Sequence, residues 1–387
     1  MNILLIIHHH LDLNSGAPGS TMKIGQQYQE LGHQVQFYSF DNLPSHLPEI
    51  AKSLVFPEFV AAHLAKTCRK QAIDVIDASS GDAWVWAKLF CQSKLNYPLL
   101  VARSHGLEHQ VDLDRKEEAA RGNLHLSWKY SLYHGGFRLW EVATSFQCAD
   151  LVFLLNQADW KYTVEQLSVK PEQAYVVCNG IPEDFLNLPF EPMLEAPDAP
   201  IGIAQIGTYI PRKGVQYSIP ALNKVLVRYR QVKVSLLGTG CSEAPPEEEI
   251  YAAFDPEVRD RVCVIPHYSH ETLPILLQGH QIKLFTSLSE GMGKALLEAM
   301  ACGLAPITTP TSGVMEFVRG GHNAHIIPFR DSTAIEQALE QLINDRVYLD
   351  QLRHNAYATA QQYSWSRAAK TRLALYKKAL DKRKDSL

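Results

Sequence analysis

Two carboxylates, Glu290 and Glu298, frame the most chemically suggestive stretch of this chain, Ser289-Glu290-Gly291-Met292-Gly293-Lys294-Ala295-Leu296-Leu297-Glu298-Ala299-Met300. The apolar run Ile282–Thr286 precedes it, so the segment reads as a strand, a loop and the start of a helix. Met292, Ala295, Leu296 and Ala299 recur at helical spacing on one face, and Gly303 stands where such a helix ends. Glu298 lies off that face, which lets it turn toward a ligand. Gly291 and Gly293 flank the helix start, where bare backbone N–H groups and the helix dipole favour an anion. An anion seat with two carboxylates of different reach suits a phosphorylated sugar, because carboxylates accept from the paired hydroxyls of a ribose or hexose. A solvated acid beside an ordinary glycine-rich turn is the plainer alternative.

A second loop, Gly207-Thr208-Tyr209-Ile210-Pro211-Arg212-Lys213-Gly214, also joins a strand to a helix. Adjacent Arg212 and Lys213 there can neutralise a diphosphate, whereas as a bare surface pair they gain nothing from the dipole at a helix start. It is not a P-loop, since Lys213 precedes its glycine and no Ser or Thr follows in the required order. In a third, Arg103-Ser104-His105-Gly106, the strand Leu99–Arg103 delivers His105 to a sheet end, as a substrate contact or as a packing residue.

Elements in alternation must position these loops. Ile3–Ile7 is a continuous apolar run of the kind buried on both faces of a parallel sheet. The Gly16–Gly19 loop, a helix ending at Gly32 and a strand through Val35 and Phe37 follow it. Further strands are expected at Val75–Ala78, Leu99–Arg103, Leu151–Leu155 and Tyr175–Cys178. After a Pro-rich stretch (Pro189, Pro192, Pro197, Pro200) the alternation restarts, with strands at Ile201–Ile206, Val232–Leu237, Val262–Ile265, Ile282–Thr286, Ala305–Thr308 and His325–Pro328, and helices close the chain. The reading is an α/β protein with domains at 1–185 and 201–365, a linker at 186–200 and a final helix at 366–387. Ligands of such sheets sit at the carboxyl ends of the strands.

Composition excludes several classes. The chain has 387 residues and a net charge of −4, against the basic excess that phosphate contacts to nucleic acid require. Seven scattered cysteines (68, 91, 148, 178, 241, 263 and 302) contain no Cys-x-x-Cys pair, which reads as reduced thiols in a cytoplasmic protein rather than a disulfide or zinc framework. The apolar run at Ile3–Ile7 lacks a basic segment before it and ends too soon for a signal peptide or membrane span. His8-His9-His10 follows it, but neighbours in an extended chain point to opposite faces and do not converge on one metal. Glu247-Glu248-Glu249 reads as a solvated loop. Residues 124–140 are aromatic and basic with no acid. They suggest peripheral contact with the inner face of a membrane or plain packing, and Gly135-Gly136 is expected to break a long helix there.

The Glu-x7-Glu pattern at Glu290 and Glu298, the Gly…Lys-Gly loop and His105-Gly106 together resemble the GT-B glycosyltransferases related to the family 4 (glycosyl transferases group 1) enzymes. Ser15-Gly16-Ala17, Leu31-Gly32-His33, Asn179-Gly180-Ile181, Gly303-Leu304-Ala305-Pro306 and Ser312-Gly313-Val314-Met315-Glu316 agree in order, so the resemblance covers residues 1 to about 365. It implies two Rossmann-like, doubly wound domains facing a cleft, with C-terminal helices packing back on the N-terminal domain. It further implies a retaining, metal-independent hexosyltransferase without a cofactor, moving a sugar from a UDP-, GDP- or ADP-sugar to a hydroxyl of a glycan, lipid-linked or small-molecule acceptor. Glu298 then binds the ribose and Glu290 the transferred sugar. Backbone at Gly291, Met292 and Gly293 faces sugar and diphosphate, Lys213 binds the diphosphate, and His105 reaches the donor sugar. Gly16 marks the N-terminal loop that approaches the donor. In the family's usual proposal the donor phosphate deprotonates the acceptor, so no dedicated protein base is expected. Two positions depart from the pattern: Thr208 stands where the family keeps an Arg, whose charge Arg212 is placed to supply, and Ser15-Gly16 replaces a glycine pair. Asp112-Leu113-Asp114 matches the Asp-x-Asp of metal-dependent glycosyltransferases of another fold, but far from any nucleotide loop it reads as chance. A sugar-nucleotide epimerase, a phosphorylase releasing a sugar phosphate, and a non-catalytic nucleotide- or sugar-binding protein share this architecture.

Overall fold

The computed structural model describes residues 1–13, 15–90, 97–122, 124–193, 196 and 198–385; Cys91 and Pro197 lie outside them. The chain divides into two compact units, Met1–Gly180 with the segment from Trp365 onward, and Ile181–Ser364. In the first, β1 (Asn2–Ile6), β2 (Gln34–Tyr38), β3 (Val75–Ser79), β4 (Leu99–Arg103), β5 (Leu151–Leu154) and β6 (Ala174–Val176) form one sheet in the order β2-β1-β3-β4-β5-β6. In the second, β7 (Ile201–Ile206), β8 (Val232–Leu237), β9 (Val262–Ile265), β10 (His280–Phe285), β11 (Ala305–Thr308) and β12 (His325–Ile326) take the order β12-β11-β10-β7-β8-β9. Every pairing in both sheets is parallel.

The apolar runs explain this directly. Leu4 and Ile6 enter a core with Phe56, Val60 and Leu64 of the helix Glu49–Thr67, while Ile3 and Leu5 enter another with Ile24 and Tyr28 of the helix Gly16–Glu30. A strand that alternates between two cores must be apolar at every position, and helices must cover both faces. Gly32 ends the first of these helices at φ +84°, in the left-handed region where the residue after a helix C-cap commonly sits.

Three elements depart from the sequence reading. The described residues of 186–200, expected to link two domains, belong to the second unit as a strap. Tyr357 Oη donates to the Leu188 carbonyl at 2.8 Å and Arg353 to the Glu191 carbonyl at 2.6 Å, with the Arg353 guanidinium 4.8 Å over the Phe190 ring. Pro189, Pro192 and Pro200 remove donors that would otherwise need partners, and the Asn187 amide donates to Gln361 Oε1 at 2.7 Å. Second, Gly135-Gly136 does not interrupt the chain's helical course. A π-helical turn at Tyr133–Phe137 carries it from the helix Trp128–Leu132 into Arg138–Cys148. A Cβ at Gly136 would meet the Ser131 carbonyl at 2.7 Å, so glycine permits the wide turn rather than ending the helix. Third, only the last of the three closing helices, Trp365–Lys384, joins the first unit; Ser332–Asn344 and Arg346–Ala360 stay with the second.

That last helix is held by a buried polar set. Tyr376 Oη donates to Asp77 Oδ2 at 2.5 Å and lies 3.1 Å from Tyr28 Oη, and Arg103 Nε stands 3.1 Å from Asp77 Oδ1. Asp77, Arg103 and Tyr376 are all at most 1% exposed. Removing one member of a buried ion pair strands the other charge, which costs about 3–5 kcal/mol, whereas an unmet hydrogen bond costs about 1–3 kcal/mol. Asp77→Ala should therefore lower stability in denaturant unfolding clearly more than Tyr376→Phe. Equal losses would show that the Asp77 charge does not anchor the helix.

Candidate active site

The order of the second sheet places its topological switch point between β7 and β10, where consecutive connections leave in opposite directions and ligands bind in doubly wound folds. The loops at the carboxyl ends of these strands are the two that carry Lys213 and Glu290. A short 3-10 turn, Pro211–Lys213, follows β7, and Gly214 closes it at φ +72°. A Cβ at Gly214 would lie 2.1 Å from the Thr286 carbonyl, so only glycine lets the turn dock this closely on the end of β10. Thr286 Oγ1 donates to the Lys213 carbonyl at 2.9 Å, and the Leu288 amide to the Arg212 carbonyl at 2.9 Å.

Docked in this way, the Lys213 ammonium pairs with Glu290 Oε1. Side chains of both are mostly buried, at 20% and 13% exposure, which makes the pair stronger than one on the open surface. The Lys213 stem runs over Gly207, where a Cβ would stand 3.5 Å from Lys213 Cε. Arg212 is the more exposed cation: its Nη1 donates to the Ser289 carbonyl at 3.2 Å and stands 4.0 Å from Glu290 Oε1. The cation sought in place of one at Thr208 thus borders the same carboxylate.

The helix is Lys294–Ala301, two residues shorter at its start than the apolar spacing suggests, because Gly293 takes φ +72° as its N-cap. Met292 is buried in the loop. A Cβ on Gly313 would fall 2.3 Å from the Gly291 carbonyl, so the Ser312–Glu316 segment packs tightly on the Gly291–Gly293 turn. Glu298 is 5% exposed rather than solvent-facing, because this helix is buried on nearly all sides. Its Oε1 lies 3.0 Å from His270 Nε2. His270 and nearby Tyr268, in the loop after β9, are site residues that sequence reasoning missed. Their signal was the run His267-Tyr268-Ser269-His270 at a strand's carboxyl end. Burial, with the Glu298 charge second, raises the Tyr268 phenol above its ordinary value, and burial followed by Glu298 pushes the Cys302 thiol up to about 12.

His105 and Gly16 belong to the first unit. His105 follows β4, and its Nε2 lies 3.0 Å from Ser79 Oγ at the end of β3. Burial, then the neighbouring charges of Arg103 and Arg372, drives its imidazole well below 6.5, so it is neutral at physiological pH. Gly16 opens the first long helix in open space, with no atom within 4 Å of the place a Cβ would take. Crowding in the first turn of that helix falls instead on Gly19, whose Cβ would meet the Leu13 carbonyl at 2.5 Å. The three histidines diverge: His8 Nδ1 pairs with Asp82 Oδ1 at 2.7 Å, while His10 Nδ1 turns to Asp41 Oδ1 at 2.5 Å. Asp112 is taken up structurally by Lys116 at 2.7 Å and Tyr130 Oη at 3.1 Å. Among the described residues no three His, Cys, Asp or Glu side chains are grouped as a metal ion requires, and no helix is long and apolar enough to cross a membrane.

Residues 191–362 match the sequence model of the family described as glycosyl transferases group 1. An uncharacterized glycosyltransferase of Methanocaldococcus jannaschii is 26% identical over 219 residues, 54% of this chain and 55% of its own length. The alpha-maltose-1-phosphate synthase of Mycolicibacterium smegmatis is 26% identical over 65% of this chain and 69% of its own. The chain thus spans about half the length of the first relative and about two thirds of the second. The crystal structure of Anabaena HepE in complex with UDP superposes with a TM-score of 0.72 at 18% identity, covering 98% of this chain and 100% of that one. The fold is that of the GT-B glycosyltransferases. More narrowly, the match to the glycosyl transferases group 1 model falls within the second unit.

Gly214→Ala isolates the close approach on which this site rests. It should destabilise the protein by about 2 kcal/mol or more, through both backbone strain and overpacking. Gly279, at φ +74° with open space around it, supplies the comparison, since Gly279→Ala adds only the strain of about 1–2 kcal/mol. Equal melting shifts for the two variants would mean that contact with Thr286 is not what requires glycine.

Proposed function

We propose that this protein is a retaining, metal-independent glycosyltransferase that moves a hexose from a nucleotide sugar to an acceptor hydroxyl. One observation carries the reading: the turn after β7 and the loop and helix after β10 bring a cation, Lys213, and two carboxylates, Glu290 and Glu298, to the switch point of one sheet. A nucleotide sugar offers chemistry to match. Glu298, braced by His270, accepts from the ribose hydroxyls, and Glu290 accepts from hydroxyls of the transferred sugar. Lys213 exchanges Glu290 for the diphosphate, with Arg212 beside it, and backbone N–H groups of Gly291, Met292 and Gly293 complete the anion seat. These cations stabilise the leaving diphosphate electrostatically, which is what a metal would otherwise supply.

UDP, GDP and ADP conjugates are the donor classes to be tested, and the UDP-bound structural neighbour favours starting with UDP. Acceptor choice falls to loops of the first unit. Trp128 at 70% exposure, Leu132 at 64%, and Phe137 and Trp140, each at 46%, support peripheral membrane contact through residues 124–140 and hence a lipid-linked acceptor.

Titration calorimetry of the three diphosphates tests the donor site. Glu298→Ala should weaken nucleotide binding more than tenfold, a loss of about 1.4 kcal/mol or more; unchanged affinity discards its ribose role. Glu290→Ala should lower turnover far more than nucleotide affinity, and equal losses in both would reassign it to the nucleotide. With donor and acceptor in hand, a product of inverted anomeric configuration by NMR, or activity lost on chelation and restored by a divalent ion, would overturn the mechanism.

A further inference from the structure

Lys283 is buried in β10 without a hydrogen-bond partner. It is 0% exposed, and its Nζ meets no acceptor; the Phe285 ring centroid lies 5.6 Å away. Ala204 of β7 and Pro306 of β11 flank it in register, and neither strand contains an ionisable residue. The charges that act on it are Lys213 from the turn after β7, Glu290 from the loop after β10 and Glu298 from the helix Lys294–Ala301. Those are the groups from which the proposed donor site is built. A permanent ammonium in such a place would carry a large desolvation cost with no partner to offset it. Burial, then the like charge of Lys213, accordingly holds this amine well below the ordinary lysine value of 10.5.

A bound diphosphate changes that balance by bringing negative charge into a poorly screened region. We propose that Lys283 takes up a proton from solvent when a nucleoside diphosphate or its sugar conjugate binds, becoming a buried cation of the donor site beneath Lys213 and Arg212. The inference rests on the donor-site reading above. The amine lone pair forms one N–H bond with a proton from water or buffer, and the proton returns to solvent when the diphosphate leaves. Linkage sets the sign. Below the free-protein value Lys283 is charged in both states, and above the value in the complex it is neutral in both. Between the two, affinity falls with rising pH by up to about tenfold per pH unit.

Calorimetric titration of UDP, GDP and ADP in two buffers of different ionisation enthalpy reads the proton directly. Alkaline pH is used so that the nucleotide phosphates are fully ionised and contribute none. Wild type should take up as much as one proton per nucleotide bound. Lys283→Met should still bind but abolish the uptake and flatten the pH dependence, without lowering the melting temperature. Lys283→Arg, permanently charged, should bind with no uptake and provides the answer should the Met variant not fold. Unchanged uptake in either variant, or nucleotide binding by wild type without uptake, overturns the role of Lys283 and leaves the donor site standing. No binding of any of the three nucleotides by wild type, at any pH, rejects the donor site and this role with it.

Discussion

The second unit depends on one close approach, that of the turn after β7 onto the end of β10. Gly214 makes it possible, because any side chain there would collide with the Thr286 carbonyl. Its consequence is electrostatic. Lys213 and Glu290, far apart in sequence and on different loops, become an ion pair over the switch point of the sheet. A parallel sheet wound in two directions opens a crevice only where its connections diverge. The chain spends its charged, glycine-rich loops there and keeps its apolar runs beneath.

The resting site balances its own charge unevenly. Glu290 is answered by Lys213 with Arg212 near, and Glu298 by His270. Lys283 alone among these groups lies in the core with no hydrogen bond. Each of the two carboxylates keeps a partner at rest, and a carboxylate oxygen can also accept from sugar hydroxyls. The same pairing restrains Lys213, whose ammonium must find an alternative anion before it can leave Glu290.

The first unit follows the same topological logic with different chemistry. Its connections diverge between β1 and β3, and there His8 meets Asp82, which also lies 3.3 Å from Arg138 Nη2. Arg138 reaches Glu141 at 3.1 Å as well, and the three carboxylates around it, with Glu108 the third, more than offset the cost of burying the guanidinium. Around this buried set the aromatic side chains Trp84, Phe137 and Trp140 pack on one another in stacked and edge-on contacts.

Much of this was legible in the residues alone. Strands such as Asn2–Ile6 and Leu151–Leu154 occur where continuous apolar runs demand them, since only a strand buried on both faces needs such a run. The loops with adjacent cations and the Glu-x7-Glu spacing stood out because polar and glycine residues cluster there against an apolar background. Other features carry no local signal. Glu298 read as lying off the apolar face and able to turn toward a ligand, but periodicity cannot tell that its helix is buried on nearly all sides, and its partner His270 comes from a loop that sequence order does not place beside it. The proline-rich stretch read as a connector because prolines mark irregular backbone, yet Tyr357, Arg353 and Gln361, more than a hundred residues away, bind it. Lys283 lies inside Ile282–Thr286, a run that reads simply as an apolar strand. Local pattern sets which segments form and which faces are apolar; long-range packing sets which charges meet, which are paired and which are left in the dark of the core. Charge interactions depend on distance and solvent access, and a chain acquires both only when it folds.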